Sequence, residues 1–182
     1  MSPVNTRRLL QALSLLALVL SLGACGFHLR QNATLPPTVH RVHLSVSGGG
    51  DLQRSLARAL QTSGASVEDA SGPGIAELRV PVAAFSTETL SAGGYARITE
   101  YAVRYQVQFE VIGGDGQLFV PRQRIDMSRE YSYDASNSVG NESQVREIQR
   151  SLNDDMVQAI LFRLEAAGRH ELAAPSHTTS TH

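Results

Sequence analysis

The amino-acid sequence predicts an α/β fold, a two-layer sandwich in which two helices pack on one face of a four-stranded mixed sheet. The predicted elements follow the order strand, helix, three strands, helix, and each predicted strand alternates apolar with polar side chains. A sheet with one apolar face buries that face under helices and leaves the other to water or a partner. The strand–helix–strand opening suits two parallel strands joined by a right-handed crossover, whereas the later strands follow one another as hairpins.

The first strand and the first helix are predicted between residues 40 and 64. Residues 40–47 alternate, and their apolar members are Val42, Leu44 and Val46. Asp51 is the predicted N-cap of a helix that runs to about Thr62. The apolar face of this helix consists of Leu52, Leu56, Ala59 and Leu60. Gly64 is predicted as the residue after its C-cap.

Three further strands are predicted between residues 76 and 133. The strand from Ala76 contains Pro81, which lacks an amide donor and therefore favours an edge position or a bulge. Residues 86–95 are rich in Ser, Thr and Gly and are predicted as a loop or a frayed hairpin end. The clearest strand spans residues 101–111, with an apolar odd-numbered face. The glycine-rich residues 113–116 form a hairpin turn that leads into the strand of residues 118–133.

A long amphipathic helix is predicted at the end of the domain. It follows a polar loop at 134–141 and runs from Glu142 to Ala167, with Gly168 as a possible cap. Its apolar stripe consists of Val145, Ile148, Leu152, Met156, Val157, Ile160, Leu161 and Leu164. The pattern predicts a single domain at 39–170 and a disordered polar tail at 171–182.

The first 24 residues have the layout of a secretory signal peptide. Arg7 and Arg8 precede an apolar run at 9–22, which is short for a membrane span, and small residues follow it. The segment Leu22-Gly23-Ala24-Cys25 resembles the lipobox of bacterial lipoproteins, in which diacylglycerol alkylates the Cys thiol and a fatty acyl chain such as palmitate is added to the new N-terminus. The resemblance predicts lipidation at Cys25 and a lipidated tether at 25–38. An ordinary cleaved signal that leaves a free thiol and an uncleaved anchor are the alternatives.

The composition argues against catalysis and against several classes of partner. The chain of 182 residues has no Lys, a single Cys and a net charge of −1. The absence of Lys excludes a Walker A loop and a Schiff-base lysine, and the single Cys excludes an intrachain disulfide. No metal-ligand spacing and no G-x-S-x-G motif is present, so we expect no enzyme activity, no cofactor and no metal. The net charge predicts no binding to nucleic acid.

Six arginines on the polar strand faces are the most informative charged residues. They are Arg79, Arg97, Arg104, Arg122, Arg124 and Arg129. Their simpler interpretation is a solvated face on which each guanidinium pairs with Glu or Asp. The alternative is recognition of phosphate or carboxylate groups, which the planar guanidinium binds with two parallel hydrogen bonds.

The hexapeptide Cys-Gly-Phe-His-Leu-Arg at 25–30 resembles the mature N-terminus of the LptE family of lipopolysaccharide-assembly lipoproteins. Leu35-Pro36, Glu100-Tyr101, Tyr133-Asp134 and the C-terminal helix are similar in order and spacing. The resemblance implies two helices on a four-stranded sheet. Gly26 stands where an Asp would signal retention in the inner membrane, so it also implies attachment to the outer membrane through the lipid anchor.

The resemblance also implies two partners. One is the LptD β-barrel, which family members plug and help to assemble, and the other is lipopolysaccharide, whose delivery to the cell surface they assist. Arg97 lies at the place that matches a lipopolysaccharide-binding basic residue of the family. Many relatives carry a Lys at the entry to the last helix, and residues 139–142 contain no basic residue here, so the resemblance carries over Arg97 alone.

A lipoprotein that activates a periplasmic cell-wall synthase is the alternative function. It would share the anchor and an α/β domain but should have a disordered tether much longer than residues 31–38. A periplasmic hydrolase is a third class, which the absent catalytic motifs disfavour.

Overall fold

The computed structural model describes residues 35–93, 97–134, 136 and 138–173. Within them a short 3-10 helix at Pro37–Val39 precedes the regular elements. The strands are β1 Arg41–Val46, β2 Ser66–Glu68, β3 Ala76–Gly93, β4 Arg97–Ile112 and β5 Leu118–Ser132. The helices are α1 Gly50–Thr62 and α2 Ser138–Ala173.

The described strands form one mixed sheet in the order β2-β1-β3-β4-β5. β1 lies parallel to β2 and to β3, and the pairs β3–β4 and β4–β5 are antiparallel. The mixed α/β prediction is confirmed, but the predicted strand number of four is wrong, because β2 is a fifth strand within the described residues. β2 pairs only Ser66, Val67 and Glu68 with β1. Three residues are too few to show the period-2 alternation by which strands are found in a sequence.

β3 extends further than predicted. It pairs with β4 as far as Gly93 opposite Arg97, so of the two alternatives predicted for residues 86–95 the loop is wrong up to that point, and the irregular hairpin end is confirmed by register shifts after Thr89 and Ser91. Thr and Ser suit an extended backbone when a neighbouring strand supplies hydrogen bonds, and that neighbour is not visible in local composition. The register shifts between Arg79 and Val82, which confirms the bulge expected at Pro81.

The core contains the odd-numbered face of β4, as predicted. Its fully or almost fully buried side chains are Val103, Tyr105, Val107, Phe109 and Val111. The same hydrophobic cluster includes the predicted stripes of both helices, through Leu52, Leu56, Leu60, Leu152, Met156, Ile160 and Leu164. The even-numbered residues 104–110 of β4 remain half-exposed.

The two ends of α1 differ in how well the sequence predicted them. The prediction that Asp51 caps the helix is wrong, because Gly49 is the N-cap and Asp51 pairs with Arg54 in the first turn. A Cβ on Gly49 would lie 2.8 Å from that of Ala83, so close packing against β3 excludes a side chain at the cap. Gly64 follows the C-cap with a φ of 93°, as expected. The Gly64 amide donates to Gln61 and the Ala65 amide to Leu60, which completes a Schellman motif.

α2 is longer than predicted at both ends. It begins at Ser138 inside the predicted polar loop and continues through Gly168, so the prediction that Gly168 caps it is wrong. A Cβ on Gly168 would lie 2.4 Å from the Cβ of Pro36, which shows that this glycine allows the incoming chain to contact the helix. The helix includes residues 171–173 of the predicted tail, and the Thr38 hydroxyl donates to Glu171 Oε2 at 3.0 Å. Residues 174–182 lie outside the described residues.

Tyr105 should make the domain less stable at alkaline pH. Its ring stacks on Phe85 with 3.9 Å between centroids, and burial, with a smaller effect of Asp51, raises the pKa of Tyr105 to about 12. Since the folded state holds this proton more tightly, the stabilisation is complete below the ordinary value of 10.0 and is lost as pH rises towards the raised pKa. We expect the unfolding free energy to fall in that window, and Tyr105→Phe to reduce the fall. Urea unfolding below and above pH 10 measures both, and an unchanged fall in the variant would contradict the assignment to Tyr105.

Candidate functional site

The first candidate surface is the polar face of the sheet, formed by the even-numbered side chains of β4 and their neighbours on β3 and β5. Two salt bridges lie within a strand, Arg79–Glu77 at 2.6 Å on β3 and Arg124–Asp126 at 2.7 Å on β5. Two others connect neighbouring strands, Arg104–Glu88 at 2.8 Å and Arg122–Glu110 at 3.1 Å. The prediction that Arg129 lies on this polar face is wrong, because its register opposite the buried Val103 puts it on the other face, where it contacts Asp155 of α2 at 2.7 Å. The simpler interpretation, in which each guanidinium pairs with a carboxylate, is therefore confirmed for these five arginines.

The salt bridges lower the pKa of the carboxyl groups on this face. Hydrogen bonds from Arg124 hold the pKa of Asp126 below its ordinary value, and the bond from Arg79 does the same for Glu77. These carboxylates remain ionised and paired at neutral pH, so the polar face presents many charges and little net charge. Exposed pairs of this kind contribute little stability, but they keep the face hydrated.

Arg97, the predicted ligand-binding residue, begins β4 opposite Gly93 at the tip of the β3–β4 hairpin. The sequence placed it before a strand that begins at residue 101, whereas β4 begins four residues earlier, at Arg97 itself. β4 extends beyond the last paired residue of β5, because Glu100 is opposite Ser132. At ~3.3 Å per residue, the Arg97 backbone lies roughly 13 Å beyond Tyr101 along the strand. Its side chain lies outside the described part of the structure.

Three tyrosines cluster near the same end of the sheet, which sequence reasoning did not find. The rings of Tyr101 and Tyr131 stack at 5.6 Å, and Tyr133 meets Tyr101 edge to face, also at 5.6 Å. Tyr101 and Tyr131 are directly opposite in the β4–β5 register. The available signal was three tyrosines at the ends of successive strands, but only the register shows that they meet.

This cluster borders an open cleft of about 520 Å³ between the end of β5 and the first turns of α2. The cleft is lined by Tyr131, Tyr133, Asn141, Glu142, Val145 and Arg146. Asn141 fixes its base, since its amide donates to the Asp134 carbonyl at 2.7 Å and accepts from the Asp134 amide at 3.2 Å. Arg146 supplies a basic group one helical turn beyond residues 139–142, where the sequence shows none.

The cleft combines aromatic edges, a guanidinium and a carboxylate. Such groups can bind a polar ligand with an apolar face, through stacking and charge-assisted hydrogen bonds. Glu142 and Arg146 are 3.7 Å apart and largely exposed, so both side chains can turn towards a ligand. Within the described residues we find no cluster of His, Cys, Asp and Glu suited to holding a metal ion. Nor does any helix there combine the length and the apolar character that crossing a bilayer requires.

A second groove, of about 890 Å³, lies at the opposite end of α2, where the chain enters the domain. Pro37, Phe119, Pro121 and Ala167 supply apolar parts of its lining. Arg163 crosses it by donating to the side chain of Gln123 at 2.9 Å, so this guanidinium connects α2 to β5. The domain thus has a chain-entry end and, about 40 Å away along α2, a hairpin end with Arg97 and the tyrosine cleft.

Comparison with known proteins identifies the family. The family model LptE, described as lipopolysaccharide-assembly, matches residues 37–164, from the 3-10 helix into the last turns of α2. The chain belongs to the LptE family. A relative, the LPS-assembly lipoprotein LptE of Photorhabdus laumondii, is 25% identical over 152 residues, which cover 80% of this chain and 83% of the relative.

Solved structures share the LptE fold seen here. Lipoprotein B from Nitrosomonas europaea superposes with a TM-score of 0.67 at 21% identity, covering 86% of this chain and 99% of that one. The rare lipoprotein B of Shewanella oneidensis gives a TM-score of 0.63 at 19% identity, covering 74% and 99% of the two chains. These similarities support the LptE fold from β1 to α2. Cys25, the predicted lipidation residue, lies outside the described residues.

Proposed function

We propose that this LptE-family protein is an outer-membrane lipoprotein, anchored through Cys25, that plugs and helps to assemble the LptD β-barrel and assists lipopolysaccharide delivery. The observation that carries the proposal is the family match, which extends over almost the entire folded domain. The lipobox-like segment ending at Cys25 supports the anchor. A signal peptide at 1–24 and a tether that begins at Cys25 complete this organisation. The tether is shorter than the predicted 25–38, because Leu35 is buried in the core and residues 37–39 form the 3-10 helix of the domain.

The polar face of the sheet supports a place inside a barrel. We place both helices on the opposite face, where their apolar stripes join the odd-numbered residues of β4. Large outer-membrane barrels have water-filled, polar interiors, which suit a hydrated face of paired charges. At ~4.8 Å between strands, the described sheet is roughly 20 Å wide, small enough to enter such a barrel.

Co-purification tests the partner. The full chain, expressed in a host with its natural envelope and extracted in mild detergent, should retain a large β-barrel protein. Intact mass of the retained chain should begin at Cys25 and include diacylglycerol and a fatty acyl chain, and Cys25→Ala should carry no lipid because the sequence has no other thiol. A mature mass without lipid would contradict the anchor. Retention of a cell-wall synthase in place of the barrel would favour the alternative function.

Arg97→Asp is expected to weaken lipopolysaccharide binding about tenfold and to leave the fold intact. A charge-assisted contact to phosphate contributes roughly 1.5–3 kcal/mol at best, and less where solvent screens it. The loss should therefore be larger at low salt. Pull-down on immobilised lipopolysaccharide at two salt concentrations measures it.

Arg58→Asp is the matched control for this prediction. Arg58 is an exposed arginine on α1, whereas Arg163 is unsuitable because it connects α2 to β5. Equal retention of the wild type and both variants would remove Arg97 from the binding site and would leave a structural plug.

A further inference from the structure

β3 loses one of its two neighbours less than a third of the way along its length. The last β1–β3 pair is Val46 with Val80, and the Ser47 amide donates to the Val80 carbonyl at 2.9 Å. The turn after β1 then packs against Ala83, 2.8 Å from where a Cβ on Gly49 would lie. Beyond this point residues 84–93 pair with β4 on one side, and no described strand covers the other. We call this ~33 Å stretch the free edge of β3.

The regular part of the free edge, residues 84–89, lacks the features that usually protect exposed strands, and register shifts interrupt the edge only beyond it, between Thr89 and Ser91 and between Ser91 and Ala92. The β5 edge carries a proline and many charges, namely Pro121, Arg122, Arg124, Asp126, Arg129 and Glu130, and the β2 edge is three residues long. Charges, prolines and short length are the usual protection against pairing with another chain. The free edge contains a single charged residue, Glu88, which Arg104 neutralises at 2.8 Å. It also exposes Phe85 by 39% and Leu90 by 46%.

We propose that the free edge of β3 pairs antiparallel with the free edge of a second copy of this chain, forming a continuous sheet across a two-fold axis. The self-association goes beyond the proposed function and does not depend on it. It concerns the chain outside a barrel, because a sheet continuous across two copies is about twice as wide as the sheet of one copy. A two-fold pairing is isologous, so each copy presents the same stretch and both sets of backbone donors and acceptors are satisfied.

The residues of the free edge fit such a pairing. With Ser86 on the axis, Glu88 of each copy faces Ala84 of the other, and no like charges meet. Phe85 then lies opposite Thr87, an aromatic and β-branched pair of the kind that stabilises adjacent strands. The chain's net charge of −1 gives little repulsion between copies. Because edge pairing alone buries less than a standard interface, we expect a weak dimer that depends on concentration.

Disulfide trapping tests the pairing and its register. Opposed residues of an antiparallel pair have Cα atoms about 4.5–5.5 Å apart, within disulfide reach. In the purified mature protein, Ser86→Cys should give a cross-linked dimer on mild oxidation. Ser128→Cys, an exposed serine on β5, is the matched control, and the parent chain reports any cross-link through Cys25. A dimer at Ser86 that exceeds both controls supports the proposal, and equal or absent cross-linking overturns it.

Charge substitution at Ala84 provides an independent test by sedimentation. Ala84→Glu places like charges opposite each other twice per dimer and should raise the dissociation constant about two- to tenfold. Ala84→Lys places opposite charges there and should leave the constant unchanged or lower it. Ala84 is exposed, so neither change should unfold the domain. Equal effects of the two variants would overturn self-pairing. A chain that stays monomeric, and whose amides 84–93 gain protection from hydrogen exchange only in the presence of a co-purified protein, would also overturn it and would assign the edge to another partner.

Discussion

Val107→Asp is expected to lower the unfolding free energy by several kcal/mol, the largest effect of any substitution proposed for this chain. Val107 is fully buried in the middle of β4, between Ala83 on β3 and Ile125 on β5. A carboxylate there would lose its hydration, and the cluster around it is hydrophobic. Burial of an unpaired charge is among the few mechanisms that destabilise a domain this strongly.

Gln106→Asp is the matched control, since it introduces the same side chain one residue earlier on the half-exposed polar face. We expect its effect to stay within about 0.5 kcal/mol, as for most surface substitutions. Urea unfolding followed by circular dichroism compares the two variants. Equal midpoints would mean that the two faces of β4 are assigned the wrong way round.

Gly168→Ala should also destabilise the fold, although alanine normally favours a helix interior by about 1 kcal/mol over glycine. The new Cβ would lie 2.4 Å from the Cβ and 2.9 Å from the Cγ of Pro36. Either α2 or the segment from Leu35 to Val39 must move, and both Leu35 and Val39 are buried in the core. Overpacking of this kind costs roughly 1–3 kcal/mol, which outweighs the gain in helix propensity.

Gly50→Ala is the control, because a Cβ at that first residue of α1 would have its nearest neighbour, Arg54 Nη1, at 3.6 Å. It should leave the unfolding free energy unchanged or raise it. Hydrogen exchange at the Val39 amide, which donates to the Pro36 carbonyl at 3.0 Å, should become faster in the Gly168 variant and stay unchanged in the Gly50 variant. A Gly168→Ala protein more stable than the wild type would show that Pro36 can withdraw without cost.

The sequence predicts the parts of this fold in which burial repeats with a regular period. The odd-numbered face of β4 and the stripe from Leu152 to Leu164 are visible because each recurs over several turns or residue pairs. β2 is invisible at three residues, and the extension of β3 to Gly93 depends on pairing with β4. The length of α2 was underestimated because Gly168 signals a helix end locally, whereas its role is contact with a segment far away in the sequence.

The features of the candidate site were likewise predictable where they depend on local sequence pattern and were missed where they depend on long-range contacts. The sequence led us to expect that the strand arginines pair with Glu or Asp. It could not identify a partner such as Asp155 for Arg129, because that pair depends on where α2 crosses the sheet. The three tyrosines are separated by turns in the sequence and meet only through the β4–β5 register. Arg146 was missed because helix geometry brings it to the cleft one turn beyond the helix entry.

The contact between Pro36 and Gly168 also determines how the domain transmits mechanical load. Tension applied through residues before Leu35 enters at the last turns of α2 and passes directly into β1, which lies between β2 and β3. If the hairpin end is held, the force acts along the strand axis. α2, which is ~54 Å long for its 36 residues, lies alongside. The β1–β3 hydrogen bonds are then loaded together in shear and do not open one after another. A domain pulled from its membrane side would thus resist forced unfolding through the rate at which this central parallel pair breaks.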